Sequence, residues 1–167
     1  MIRTLGLTML LATAVGAAAA ATDLIPFRIK DQRDRLQTDA RYRGAPLLVL
    51  WADRKGADVM DAWAPLLADS LAGPIAGYRL RLLEVAHGKG APFFVKGKIK
   101  GKFAAAGRGP VLMDWGGEFA AAYGPVEDRC NVWLFDDEGR LVGAWNGAVG
   151  DSLLPAGLVS TVRGLAR

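Results

Sequence analysis

Few residues in this chain have side chains that make or break bonds, and they are scattered. Its one cysteine is Cys130 and its one histidine is His87. Thiol exchange with internal resolution needs two sulfurs close in sequence or space, because one attacks as thiolate and the second releases the mixed disulfide. A lone thiol permits one-thiol chemistry or none, excludes an internal disulfide, and is more often a small buried apolar residue. His87 has no Cys, His or carboxylate cluster at ligand spacing and reads as a loop residue. Asp136-Asp137-Glu138 lacks the spacing of a calcium loop. Gly88-Lys89-Gly90 is not followed by the Gly-Lys-Ser/Thr of a phosphate loop. Neither a metal nor a cofactor is expected.

The element best placed to present chemistry is a strand, turn and helix. Leu47 to Ala52 is an apolar run after Gly44-Ala45-Pro46, and from Ala57 to Ala72 the residues Val59, Met60, Trp63, Leu66, Leu67 and Leu71 share one helical face. The turn between them, Lys55-Gly56-Ala57-Asp58, lies where free N–H groups and a helix dipole activate thiolates or hold anions. It offers no nucleophile. Lys55 and Asp58 there suit capping, an ion pair or a ligand contact. A second feature is electrostatic: between Glu84 and Asp114 there is no acidic residue, while Lys89, Lys96, Lys98, Lys100, Lys102 and Arg108 all fall in that interval. Such a run is a solvated face or a dock for an acidic exported protein, an anionic lipid surface or a phosphorylated ligand.

The chain has 167 residues and a formal charge of +4. Residues 1–21 read as a secretory signal peptide, with Arg3 ahead of a short apolar core and a small-residue run from Ala17 to Ala21. Periplasmic or secreted localisation follows, with no membrane-spanning segment after signal removal, since no later stretch has the required apolar length. The remaining chain of about 145 residues suits one domain that needs neither metal nor crosslink. Residues 22–46 read as a polar, loosely packed lead-in with room for one short strand, and 47–167 as the domain proper. A mild positive charge in an exported protein gives no reason to expect nucleic acid.

After the first helix, Gly73-Pro74 and Gly77 end it, and Tyr78 to Ala86 reads as a second strand, parallel to the first through a right-handed crossover. Residues 95–106 are two-sided: Val95, Ile99 and Phe103 recur at helical spacing, whereas the alternate lysines resemble a strand face. Helix is favoured, despite about 1 kcal/mol lost at each of Gly97 and Gly101. Pro110 to Asp114 is a short strand and Gly117 to Tyr123 a short helix. Asn131 to Phe135 and Leu141 to Trp145 form a hairpin about Asp136-Asp137-Glu138-Gly139. A last helix is capped by Asp151 or Ser152, with Pro155 in its first turn and Leu154, Leu158, Val162 and Leu165 inward. The five tryptophans read as core.

Trp51-Ala52-Asp53-Arg54-Lys55-Gly56-Ala57-Asp58 resembles the thioredoxin-fold segment Trp-Ala-x-Trp-Cys-Gly-Pro-Cys, with Lys55 and Asp58 standing at the two cysteine positions. Asp114-Trp115-Gly116-Gly117 leading to Tyr123-Gly124 is similar to the Asp, turn, Gly, helix segment of peroxiredoxin-like and extracytoplasmic thioredoxin-like proteins. Val132 to Val142 resembles their following hairpin. Within that superfamily the pattern, including Phe94-Val95-Lys96, is most similar to small YtfJ-type periplasmic proteins. The resemblance implies an α/β thioredoxin-like fold, with a central mixed β-sheet, helices on both faces, and a C-terminal hairpin and helix. It implies binding or accessory work rather than dithiol oxidoreduction, with a vestigial active-site turn at Lys55 to Asp58. It also places Cys130 at the usual cis-proline position beside that turn, which leaves a one-thiol redox enzyme of the thiol peroxidase or thiol-exchange type as the alternative.

Overall fold

The computed structural model describes residues 21–167. The signal-peptide expectation lies outside the described residues. The described residues form thirteen strands and helical segments, and the main sheet is built from five of them: β3 (Leu47–Ala52), β4 (Arg81–His87), β5 (Val111–Asp114), β6 (Arg129–Phe135) and β7 (Leu141–Ala148). Their order is β5-β4-β3-β6-β7. β3, β4 and β5 are parallel, and β6 and β7 are antiparallel to their neighbours. The central strand β3 is buried at every position, which explains its unbroken apolar run.

Side-chain alternation splits the core into two layers. On one face Leu48, Leu50, Ala52 and Cys130 meet α1 (Ala57–Ser70) through Met60, Trp63 and Leu67, and α5 (Leu158–Leu165) through Leu158 and Val162. On the other, Leu47, Val49, Trp51 and Trp133 meet α4 (Glu118–Tyr123) and the lead-in residues Leu24, Phe27 and Tyr42. Pairs of this kind are the expected solution for a sheet with two apolar faces. A short helix α2 (Ala72–Ala76) follows α1, and α3 (Phe93–Ala105) joins β4 to β5.

The central elements follow the sequence reading, and residues 93–105 are helical. The lead-in differs. It is not loose: β1 (Arg28–Lys30) and β2 (Leu36–Thr38) pair antiparallel, and a 3-10 turn (Asp39–Tyr42) follows. Phe27 packs on Phe119 with ring centroids 5.4 Å apart, and the Tyr123 hydroxyl accepts from Ile25 N–H at 2.8 Å while donating to the Asp23 carbonyl at 2.9 Å. Its apolar anchors are irregularly spaced, so periodicity does not expose them.

Three further details are corrected. Leu66 is exposed rather than inward, because the helix turns it past the buried stripe. β4 begins at Arg81, and Tyr78 is solvent-facing with a left-handed φ of 56°. The last helix starts at Leu158 behind Gly157, not at Asp151, and Leu165 is exposed while Ala166 closes the core. Asp151 instead accepts Ala148 N–H at 2.8 Å, closing the turn after β7.

Candidate functional site

The turn after β3 is held by carboxylates of its own. Asp53 Oδ1 accepts the N–H groups of Lys55 at 2.9 Å and Gly56 at 2.8 Å, and its Oδ2 accepts Asp128 N–H at 2.8 Å. An internal carboxylate therefore braces the turn just ahead of the helix, whose N-terminus itself has no side-chain cap. Lys55 does not pair with Asp58. Its ammonium reaches Asp128 at 2.7 Å, and that hydrogen bond holds its pKa above the ordinary lysine value. Asp58 is exposed in the first turn of α1. Gly56 is fixed sterically: any Cβ there would collide with the Arg129 carbonyl, so the turn lies directly on the Arg129–Cys130 peptide.

Cys130 is thus beside the turn, paired with Ala52 across the ladder. The expected neighbourhood is present, but an acidified thiol is not. Cys130 has no exposed surface, and burial, with the nearby Glu84 carboxylate adding to it, pushes its pKa up to about 12. Thiolate reactivity needs the opposite environment. No cis peptide bond occurs among the described residues, so the Cys130 position runs straight.

Behind Cys130 lies a charged cluster that the sequence did not reveal. Glu84 is 5% exposed on the same sheet face, 3.3 Å from Arg108 Nη1, and Arg108 Nη2 reaches Asp61 at 2.5 Å. Burial raises the Glu84 pKa to about 7 against the lowering charge of Arg108.

The basic run on and around α3 is partly neutralised. Lys100 meets Asp34 at 2.6 Å, Lys102 meets Asp61 at 3.0 Å, and Arg108 is paired as above. The Lys96 ammonium stands 5.0 Å over the Trp115 ring. Lys89 and Lys98 make no ion pair among the described residues. Beside them lie Phe93 and Phe94, 90% and 84% exposed, which the sequence reading passed over because it followed charge rather than exposure. His87, expected in a loop, is instead the last residue of β4, with its ring tilted against Trp51 at 5.1 Å between centroids, and no metal-ligand group occurs among the described residues. Asp114, buried, caps α4 by accepting the N–H groups of Gly117, Glu118 and Phe119 at 2.7, 2.9 and 3.1 Å.

No protein-family model matches the sequence, and no curated protein matches it. Solved structures do. The exposed lipoprotein thioredoxin Etrx1 of Streptococcus pneumoniae is 17% identical with a TM-score of 0.64, over 84% of this chain and 100% of that one. A putative protein disulfide isomerase of Bacteroides thetaiotaomicron gives 16% and 0.64 over 89% and 90%. The bacterioferritin comigratory protein of Xanthomonas campestris, which has alkyl peroxide reduction activity, gives 16% and 0.59 over 92% and 99%. The fold is thioredoxin-like. At these identities the likeness concerns the fold alone. Among the described residues no helix is long and apolar enough to cross a membrane.

Proposed function

We propose that this protein is an exported, YtfJ-like thioredoxin-fold factor that works by binding in the periplasm, without dithiol chemistry. The observation that carries the reading is the turn itself. Lys55 and Asp58 stand where the resemblance puts the two reactive cysteines, Asp53 braces the turn, Asp128 holds the lysine, and the neighbouring Cys130 is sealed from solvent. Exchange chemistry needs an accessible thiolate, so the alternative one-thiol enzyme has little to stand on.

The partner we propose is anionic, engaged through the lysines of the 89–102 stretch. Two adjacent exposed phenylalanines beside Lys96 and Lys98 favour an anionic lipid surface, where aromatic rings enter the headgroup region and lysines meet phosphate. Assays of insulin reduction and peroxide consumption should give no turnover above buffer, with Cys130→Ala equal to wild type. Turnover that Cys130→Ala abolishes would reject the binding reading. Phosphatidylglycerol vesicles should sediment the protein, and Lys96, Lys98, Lys100 and Lys102 changed to Glu should release it. Retention of an acidic protein partner, with no vesicle binding, would replace the lipid surface by that partner.

A further inference from the structure

A second site lies at the opposite end of the sheet from the turn, where β4 and β5 begin. A cleft of about 640 Å³ opens there, lined by Arg33, Arg35, Arg41 and Arg81, with Tyr42 and Tyr78 also on its walls. Arg33, Arg35, Arg41 and Arg81 make no ion pair among the described residues. The two acids that reach the cleft are already committed. Glu84 faces Arg108, and Asp31, 2% exposed, spends its carboxylate on the chain that carries the arginines.

That commitment is specific. Asp31 Oδ1 accepts the backbone N–H groups of Arg33 at 2.8 Å and Arg35 at 3.0 Å, which fixes the tight turn between β1 and β2. Its Oδ2 accepts Gln37 Nε2 at 2.9 Å. Gln37 Oε1 in turn accepts Arg41 Nη1 at 3.1 Å and the Tyr42 hydroxyl at 3.2 Å. One buried carboxylate thus organises three arginines without neutralising their outer faces. Asp34, in the same turn, holds a left-handed φ of 62°, as does Tyr78 on the wall at 56° and 87% exposed. Backbone strain in a non-glycine residue persists only where the surroundings impose it. Gathering like charges costs energy, and guanidinium forks match the oxygens of a phosphate in pairs. Ala68, Ile75, Leu80 and Leu82 give the cleft an apolar side.

We infer that this cleft binds a soluble small molecule carrying two or more phosphate charges on a sugar-like or apolar body. Its volume suits a small ligand. Phosphate groups bring more negative charge per unit volume than carboxylates, and so complement better four guanidiniums that line one cleft without carboxylate partners. The site is separate from the α3 face and stands whether or not that face meets lipid.

Titration calorimetry of the purified protein with inorganic pyrophosphate at physiological ionic strength tests the assignment. Saturable binding at one site is expected, weakened at least about tenfold by Arg35→Glu or Arg81→Glu and unchanged by Lys98→Glu. Pyrophosphate should also raise the melting temperature of wild type and leave that of Arg81→Glu where it was. Should the reversals fail to fold, Arg35→Gln and Arg81→Gln are read in the same way. No binding overturns the proposal, as does equal weakening by Lys98→Glu, which would mean diffuse attraction. Binding of citrate but not pyrophosphate overturns the phosphate assignment.

Discussion

The two ends of the sheet treat charge in opposite ways. At the carboxyl end of β3, the charged groups that hold the turn are answered from within: Asp53 by three backbone N–H groups and Lys55 by Asp128. At the amino end of β4 and β5, a buried network of similar construction, centred on Asp31, leaves Arg33, Arg35 and Arg81 unanswered. Both ends spend a carboxylate on backbone N–H groups. The first use closes a surface, and the second displays one.

The largest expected effect tests how tightly the closed end is built. Gly56→Ala places a methyl against the Arg129 carbonyl and should cost about 3 kcal/mol in urea denaturation, since backbone on both sides must shift. A loss under about 1 kcal/mol would show that turn and β6 are not in register. Asp31→Ala comes next, at about 2–3 kcal/mol, because the Gln37 amide and two backbone donors lose their acceptor in a buried place. It should also lower pyrophosphate affinity, although no arginine is removed.

Glu84 links the two ends and supplies the pH dependence. Its folded pKa, about 7, lies above the ordinary carboxylate value of 4.5, so the folded chain holds the proton more tightly than the unfolded one. The stabilisation is full below pH 4.5 and is lost as pH rises through 7, by roughly 3 kcal/mol. Thermal melts between pH 5 and pH 8 should show this fall, and Glu84→Gln should flatten it. A fall that survives the substitution would assign it elsewhere. The smallest effects belong to the surface of the closed end. Lys55→Ala should leave the melting curve within error, the pair being exposed on both sides. Cys130 should resist iodoacetamide at pH 8 until denaturant is added.

Much of this was legible in the residues. The apolar run of β3, the helical stripe of Val59, Met60, Trp63 and Leu67, and the Gly139 turn each carry a local signal that tertiary structure does not override. The place of Cys130 beside the turn was legible too, through the likeness of the hairpin around Asp136. The partners were not legible. Lys55 finds Asp128, Lys100 finds Asp34, and Arg108 finds Asp61 and Glu84, all across large sequence separations that no periodicity encodes. The arginine cleft was hidden for the same reason: its members come from the β1–β2 turn, the 3-10 turn and the start of β4, and each alone looks like a solvated surface residue.

The contact between Gly56 and the Arg129–Cys130 peptide also has a mechanical meaning. With no side chain to act as a spacer, the start of α1 and the start of β6 cannot swing apart without breaking the Asp53 bonds on either side. They form one rigid body, and the amides of Lys55, Gly56 and Asp128 should exchange with solvent as a single cooperative class. α3, with two internal glycines and only Phe103 buried, is tied down chiefly by partly exposed ion pairs of Lys100 and Lys102 and should open before the rest of the sheet lets go.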